Sequence, residues 1–305
     1  MAETRLKMAL VGCGGIAQVH WQGIKEIASR VDVTAVVDTN SDSATAMAQL
    51  TGAEAFFDLE EALKNGDFEA VDIMLPHNLH ESAATACFSA GKHVLLEKPM
   101  AHSLESAERI LQASQKVTTT FMIAEQAQYW TDVIKARELM DAGAIGEVIS
   151  ASGNFYDRVV TDPDAPPPWR YSLAISGGGV TMDGGAHWIR PLRMMMGEVD
   201  EVIGVAGRHV PRMESESWSR MLMKFENGTV GMLTCQNVMH ASGPTDMFRI
   251  TGSEGELQIT GGRDGQLLLF NKEHPRGEVI MSAVEGKRNS YGEEINDFCK
   301  VVLDG

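Results

Sequence analysis

The hydrophobic pattern changes character once along the chain. Over the residues up to Glu125, short apolar runs alternate with stretches of helical periodicity. Leu6–Val11 (LKMALV) reads as a buried strand, followed by glycines and a helical stretch over Ile16–Ser29. Val31–Val37 is a second, β-branched run, and Asp58 opens a helix with Glu61 three residues on as a capping box. A strand over Val71–Leu75, a helix over His80–Ala90 closed by Gly91, and a strand over His93–Leu96 follow. Ser103 then caps a helix reaching about Ser114, and Phe121–Ala124 is one more strand. Strands alternating with helices in this way predict right-handed βαβ units and a parallel sheet.

After Glu125 the rhythm is different. A helix over Thr131–Asp141 and a glycine-flanked one over about Gly179–Met196 lie among strand candidates. The strands are Val148–Phe155, Glu201–Arg208, Ser217–Phe225, Thr229–Asn237, Phe248–Gly252, Glu256–Thr260 and Gln266–Asn271. In Ser217–Phe225, Met221, Met223 and Phe225 share one face while Arg220 and Lys224 share the other, a period of two. Turns such as Glu226-Asn227-Gly228 and Ser253-Glu254-Gly255 imply antiparallel pairing. The expected fold is α/β: a parallel sheet over 1–125, then an α+β domain over 126–305 with a large, open-faced, mainly antiparallel sheet. The stiff proline loop Asp162–Pro168 is expected on the surface.

Composition narrows the partners. The formal net charge is −16, which repels phosphate backbones and weighs against nucleic acid. No apolar run approaches the roughly 18–20 residues that span a bilayer, and the apolar stretch before the first glycines is too short to be expected as a secretory signal. Four cysteines, Cys13, Cys87, Cys235 and Cys299, show no C-x-x-C spacing, so neither a disulfide scaffold nor a zinc site is expected. A reduced, cytoplasmic protein is the reading.

Gly12-Cys13-Gly14-Gly15-Ile16-Ala17 stands between the first strand and the first helix. Gly12 permits a tight turn, Gly14 lets backbone approach a pyrophosphate, and Ala17 allows close helix–strand packing. Free N–H groups at the start of the helix, Gly15 and Ile16 among them, then meet the phosphates. Asp38 ends the second strand, where a dinucleotide fold places an acid on the adenosine ribose. Thr39-Asn40-Ser41-Asp42 offers no cation for a 2′-phosphate, so NAD is expected over NADP. Cys13 sits inside the cradle, where alkylation would disturb coenzyme binding, but nothing in the sequence marks it as a nucleophile.

Three further motifs carry a resemblance. They are Glu97-Lys98-Pro99, Gly177-Gly178-Gly179 leading into Asp183-x-Gly185-x-His187, and Thr251-Gly252-Ser253-Glu254-Gly255. With the cradle, they resemble the Gfo/Idh/MocA family of NAD(P)-dependent oxidoreductases acting mostly on sugars, cyclitols and their derivatives. The resemblance implies a Rossmann domain over 1–125, a substrate-binding and oligomerisation domain over 126–305, and an active site between them. It also implies a homodimer or homotetramer built through the second sheet. Coenzyme contacts are implied at Leu75, Pro76, Asn78, Glu97, Lys98 and Gln126; for His80 a capping role and a coenzyme role stand side by side. Members usually continue past Leu303-Asp304-Gly305 with a further helix packed on the first domain, so the expectation is that the sequence is truncated there or that this helix is absent.

By the same resemblance, Lys98 reaches toward the reacting carbon, and Asp183 and His187 act there with it. Oxidising a secondary alcohol removes a hydroxyl proton while hydride leaves, and a positioned base contributes about 10²–10⁴-fold. A cation nearby stabilises the developing alkoxide. On one continuous helix, Asp183, His187 and Arg190 would form a stripe, with the acid orienting the imidazole. Lys98 and His187 remain alternatives for the direct base. Two residues depart from the family. Arg190 stands where an acid is usual, and Glu125-Gln126-Ala127-Gln128-Tyr129 lacks a common arginine. Arg190, with Trp169-Arg170, would suit a sugar-like substrate bearing an acidic group; alternatively Arg190 pairs with Asp183 or Glu198. Two other classes compete with a dehydrogenase. One retains NAD and cleaves or epimerises a glycoside without net redox change; the other is a non-catalytic NAD-responsive binding protein. No metal is expected, because the His/Asp pair lacks a third ligand.

Overall fold

The computed structural model describes residues 5–27, 29–159, 164–238, 240, 243–261, 265–282 and 290–305. In chain order the first elements are β1 (Leu6–Val11), α1 (Gly15–Glu26), β2 (Val31–Val37), α2 (Ser41–Thr51), β3 (Glu54–Phe56) and α3 (Leu59–Asn65). They are followed by β4 (Ala70–Ile73), α4 (His80–Ser89), β5 (His93–Glu97), α5 (Leu104–Ser114), β6 (Phe121–Ala124) and α6 (Thr131–Asp141). Next come β7 (Val148–Arg158), α7 (Leu173–Ser176), α8 (Val180–Asp183), α9 (Ala186–Met196), β8 (Val199–Gly207), β9 (Trp218–Phe225) and β10 (Val230–Val238). The last are β11 (Asp246–Gly252), β12 (Gly255–Thr260), β13 (Gln266–Asn271), β14 (Glu278–Ser282) and α10 (Ser290–Asp304).

The chain divides into two compact units. One holds Met1–Glu125, Ala174–Gly177 and Tyr291–Gly305; the other holds Gln126–Leu173 and Gly178–Ser290. The first contains a six-stranded sheet in the order β3-β2-β1-β4-β5-β6, with every pair parallel. Its central strands are largely apolar because helices cover both faces, with Asp72 of β4 a buried exception. Met8 and Leu10 of β1 pack with Ala17 and Ile24 of α1, Met47 of α2 and the apolar stripe of α10. Ala9 and Val11 point the other way, into a core with Ala62 of α3, Ala84, Cys87 and Phe88 of α4, and Ile110 of α5. Asp58 and Ser103 cap α3 and α5 through the N–H groups of Glu61 and Ser106, as their spacing predicts.

Five elements escaped the hydrophobic pattern: α2, β3, α7, β14 and α10. In α2 only Ala44 and Met47 are buried, so its stripe is too thin to show; its cap is Asn40, accepting from the N–H groups of Asp42 and Ser43. β3 has three residues, and none of β14 is buried. The division at 126–305 also needs correcting. Ile295, Phe298 and Cys299 of α10 are wholly buried, spaced one turn apart, and lie in the core of the first unit. Burying the Ile and Phe side chains contributes about 1.5–3 kcal/mol each. A Cβ at Gly23 of α1 would come within 2.8 Å of the Gly292 nitrogen, so the two helices meet backbone to backbone.

The second unit contains an eight-stranded sheet in the order β14-β13-β12-β11-β7-β10-β9-β8. All its pairs are antiparallel except β7 with β10. On one face, α6 and α9 bring Trp130, Val133, Leu192 and Met195 against Leu233, Phe248, Ile250 and Leu257. The other face leaves large apolar side chains exposed in this chain, among them Ile203 at 76% and Leu222 at 52%. The expected helix over Gly179–Met196 is broken into α8 and α9 at Gly184-Gly185. These two glycines keep near-helical torsions, but the Gly185 N–H reaches back to the Val180 carbonyl, so the hydrogen-bond ladder slips there. Side chains are excluded at both: a Cβ would meet the Phe155 ring at Gly184 and the Thr181 carbonyl at Gly185. Asp162 and Pro163 of the proline loop lie outside the described residues. Among those described, no helix is long and apolar enough to cross a membrane.

Candidate functional site

In the first unit, the turn from β1 to α1 has the form of a phosphate cradle. Gly12 has φ +95°, and a Cβ there would lie 2.4 Å from the Met74 carbonyl oxygen of the neighbouring turn. Gly14 and Gly15 meet nothing within 4 Å, so their outer side is open to a ligand. Gly14 caps α1, whose first turn carries no acid, and Ala17 is fully buried. Free N–H groups, a positive helix end and open glycines together fit a pyrophosphate. The carboxylate of Asp38 is already aimed: Oδ2 accepts from the Cys13 N–H at 2.8 Å and Oδ1 from the Asn40 N–H at 2.8 Å. These residues fit NAD, with Gly12–Ile16 on the phosphates and Asp38 on the ribose. Replacing Asp38 with Ser and Thr39 with Arg is expected to move the affinity ratio toward NADPH by at least about tenfold, because a repelling carboxylate gives way to a guanidinium. Parallel NADH and NADPH fluorescence titrations read it.

Cys13 has the surroundings of an unreactive thiol. The side chain is buried, and burial followed by the Asp38 charge pushes the thiol up to about 12. A thiol held neutral is a poor nucleophile.

Two turns farther along the sheet, Lys98 follows the last residue of β5, and the Lys98–Pro99 peptide is cis. His80 holds this turn from below. Its Nδ1 lies 3.0 Å from the Pro99 carbonyl oxygen and its Nε2 2.9 Å from the Leu75 carbonyl oxygen. The ring is fully buried, and burial lowers its pKa; a neutral imidazole has one N–H and donates to one of these two carbonyls, while the ring packs between the turns after β4 and β5. His77 similarly sets Nδ1 2.8 Å from the Ser176 carbonyl oxygen. Pro76 opens the short turn that carries half-buried Leu75 and exposed Asn78. Glu97 is buried with its Oε1 3.0 Å from His20 Nε2, a partner that the sequence reading missed. His20 falls on the inner face of α1, one turn past Ala17, and that phase was the available signal.

The remaining candidates lie in the second unit. Gln126 is buried and its Oε1 accepts from Trp130 Nε1 at 2.6 Å. The Arg170 guanidinium stands over the Trp169 ring, 4.3 Å from its centroid, and its Nε donates to Asp183 Oδ2 at 2.9 Å. The break at Gly184-Gly185 leaves Asp183 at the end of α8 and His187 and Arg190 on α9. Arg190 is bound neither to Asp183 nor to Glu198, as weighed above; its Nη2 donates to Gln128 Oε1 at 2.8 Å, and Glu198 takes Arg193 instead. The glycine run before α8 serves packing. A Cβ at Gly177 would strike the His102 carbonyl, one at Gly179 the Glu216 carbonyl. The Glu216 carboxylate accepts from the N–H groups of Gly179 and Thr181, at 2.9 and 3.1 Å, and so caps α8.

A parallel sheet of this strand order, with a glycine cradle after its first strand and an acid after its second, defines a dinucleotide-binding oxidoreductase class. The sequence model of the oxidoreductase family with an NAD-binding Rossmann fold matches residues 6–125, and that of the GFO/IDH/MocA C-terminal domain matches 133–258. The chain belongs to the Gfo/Idh/MocA family and is an NAD-dependent dehydrogenase. It is 26% identical to the levoglucosan dehydrogenase of Pseudarthrobacter phenanthrenivorans, over 88% of this chain and 80% of that one. It is also 26% identical to the myo-inositol 2-dehydrogenase of Thermotoga maritima, over 98% and 89%. A crystal structure of a Thermotoga maritima oxidoreductase aligns with TM-score 0.86 at 29% identity, covering 99% of this chain and 89% of that one. Levoglucosan dehydrogenase in complex with NADH and L-sorbose shares the fold, with TM-score 0.88 at 22% identity over 99% and 90%.

Proposed function

We propose that the substrate is a sugar, sugar acid or cyclitol-like alcohol, oxidised at a secondary carbinol or formed by reduction of the matching ketone. The observation that carries this reading is the Glu97-Lys98-Pro99 turn, held by His80 in the same unit as the coenzyme cradle. The relatives named above, which act on levoglucosan and myo-inositol, support the substrate class. Bound NAD supplies the hydride acceptor. Lys98 and His187 are the proton-transfer groups, and a cationic amine at Lys98 also steadies the alkoxide as it forms. Asp183, tied to Arg170, orients the polar groups around it. Arg170, Arg190 and the Trp169 face bind substrate hydroxyls or an acidic substituent.

The exposed Ile203 and Leu222 face supports a homodimer or homotetramer assembled through the second sheet. The test of the substrate is a screen of neutral sugars, sugar acids and cyclitols with NAD, following NADH absorbance. Stoichiometric NADH from one of these classes is the expected result. Turnover without NADH would overturn it in favour of a redox-neutral enzyme, and failure of every class would overturn the substrate assignment. Activity confined to neutral polyols would remove the acidic substituent from the reading.

A further inference from the structure

His20 of α1 is wholly buried in the first unit with a carboxylate against each ring nitrogen. Its Nδ1 lies 2.8 Å from Asp72 Oδ2 on β4, and its Nε2 3.0 Å from Glu97 Oε1 at the end of β5. A neutral imidazole has one N–H and can donate to one of these only, so both contacts are satisfied together by the imidazolium. Tyr291 and Glu294 of α10 close the cluster. The Tyr291 ring centroid is 5.4 Å from that of His20, and Glu294 is fully buried with both carboxyl oxygens lacking a hydrogen bond.

The charged and titratable groups around His20 come from every neighbouring element: Asp72 from β4, Glu97 from β5, Glu125 after β6, and Tyr291 and Glu294 from α10. Burial alone would drive the proton off His20, but Asp72 and Glu97 outweigh it and hold its pKa well above the usual imidazole value. Burial pushes the Glu294 carboxyl well above its usual range, opposed by His20 and helped by Glu97, Asp72 and Glu125. What remains is one cation between two carboxylates. With His80 bracing Pro99, the Glu97–Pro99 segment is held at both ends.

We propose that His20 is a positioning residue of the reaction: its imidazolium, bridging Asp72 and Glu97, ties the phosphate-binding helix α1 to the end of β5 and fixes the backbone that carries Lys98. The proposal rests on the reading of Lys98 as a proton-transfer group. It makes the spacing between coenzyme seat and lysine depend on a buried charge rather than on apolar packing alone.

The test is the rate of acetylation of Lys98 by acetic anhydride, measured by peptide mass spectrometry relative to exposed Lys64, with and without NADH. In the coenzyme-free His20→Gln variant, the Lys98/Lys64 ratio is expected to rise about tenfold, the scale of a group losing its fixed placement. Ile295→Val, which loosens the α10 packing without touching a charge, should leave the ratio at the wild-type value. An unchanged ratio in folded His20→Gln, or an equal rise in Ile295→Val, overturns the proposal. Should His20→Gln fail to fold, ¹⁵N NMR of the wild-type His20 ring decides: a cationic ring persisting at pH 8 supports the clamp, and a neutral ring at pH 7 ends it. If NADH does not slow acetylation of wild-type Lys98, the reading of Lys98 fails, while the two ratios still judge the clamp.

Discussion

Replacing Lys98 with alanine is expected to lower kcat by about 10²–10⁴-fold, the usual contribution of a positioned proton-transfer group. NADH affinity should hold within about threefold, because the glycine cradle and Asp38 carry most of the binding and the lysine little of it. The contrast between the two measurements is the informative part. A residue needed only for folding would lower both together, whereas one acting on the proton lowers turnover alone. His187→Ala run beside it identifies the direct base. The larger loss of kcat marks the group that takes the proton, and the smaller loss marks the one that steadies charge. Full turnover in Lys98→Ala on a substrate found by the screen would end the assignment.

Gly12→Ala is expected to weaken NADH binding by about 10²-fold or more, as a lost pair of charge-assisted hydrogen bonds requires. Two causes add. The residue holds φ +95°, and the new Cβ would lie 2.4 Å from a backbone oxygen of Met74, which cannot swing aside as a flexible side chain would. The turn must open, and the N–H groups aimed at the phosphates move with it. Gly14→Ala is a matched control, since nothing lies within 4 Å of a Cβ at that position. It should fold with an unchanged melting temperature yet bind NADH poorly, because the methyl fills space that the pyrophosphate needs. Calorimetric titration with NADH and a thermal melt of each variant separate the two effects. Normal NADH affinity in both would show that the coenzyme does not sit on this turn.

The cradle was legible in the sequence because its chemistry is local. A strand, a glycine turn and a helix start are contiguous, and Asp38 follows one strand later, so spacing alone aligns them. The contacts of His20 and Arg190 were not legible. His20 meets Asp72 and Glu97 across 52 and 77 residues, and Arg190 meets Gln128 across 62, so no periodicity joins these pairs. The break between Asp183 and His187 escaped for a different reason. Gly184 and Gly185 stay near helical torsions, and what excludes side chains there is the Phe155 ring and the Thr181 carbonyl.

The sequence by itself determined the alternation of strands and helices, the parallel character of the first sheet, the period of two in β9, and the caps of α3 and α5. Each of these follows from residues within a few positions of one another, where backbone geometry and side-chain phase leave little choice. Only the tertiary structure decided that α10 returns to the first unit, that His80 packs between two turns, and that Glu97 faces a buried imidazole. Those outcomes depend on which surfaces meet once the sheet has formed. The reason is energetic: apolar stripes such as Ile295-Phe298-Cys299 gain the same burial against any complementary face, and charges such as His20 and Asp72 gain theirs only after water has been excluded around both.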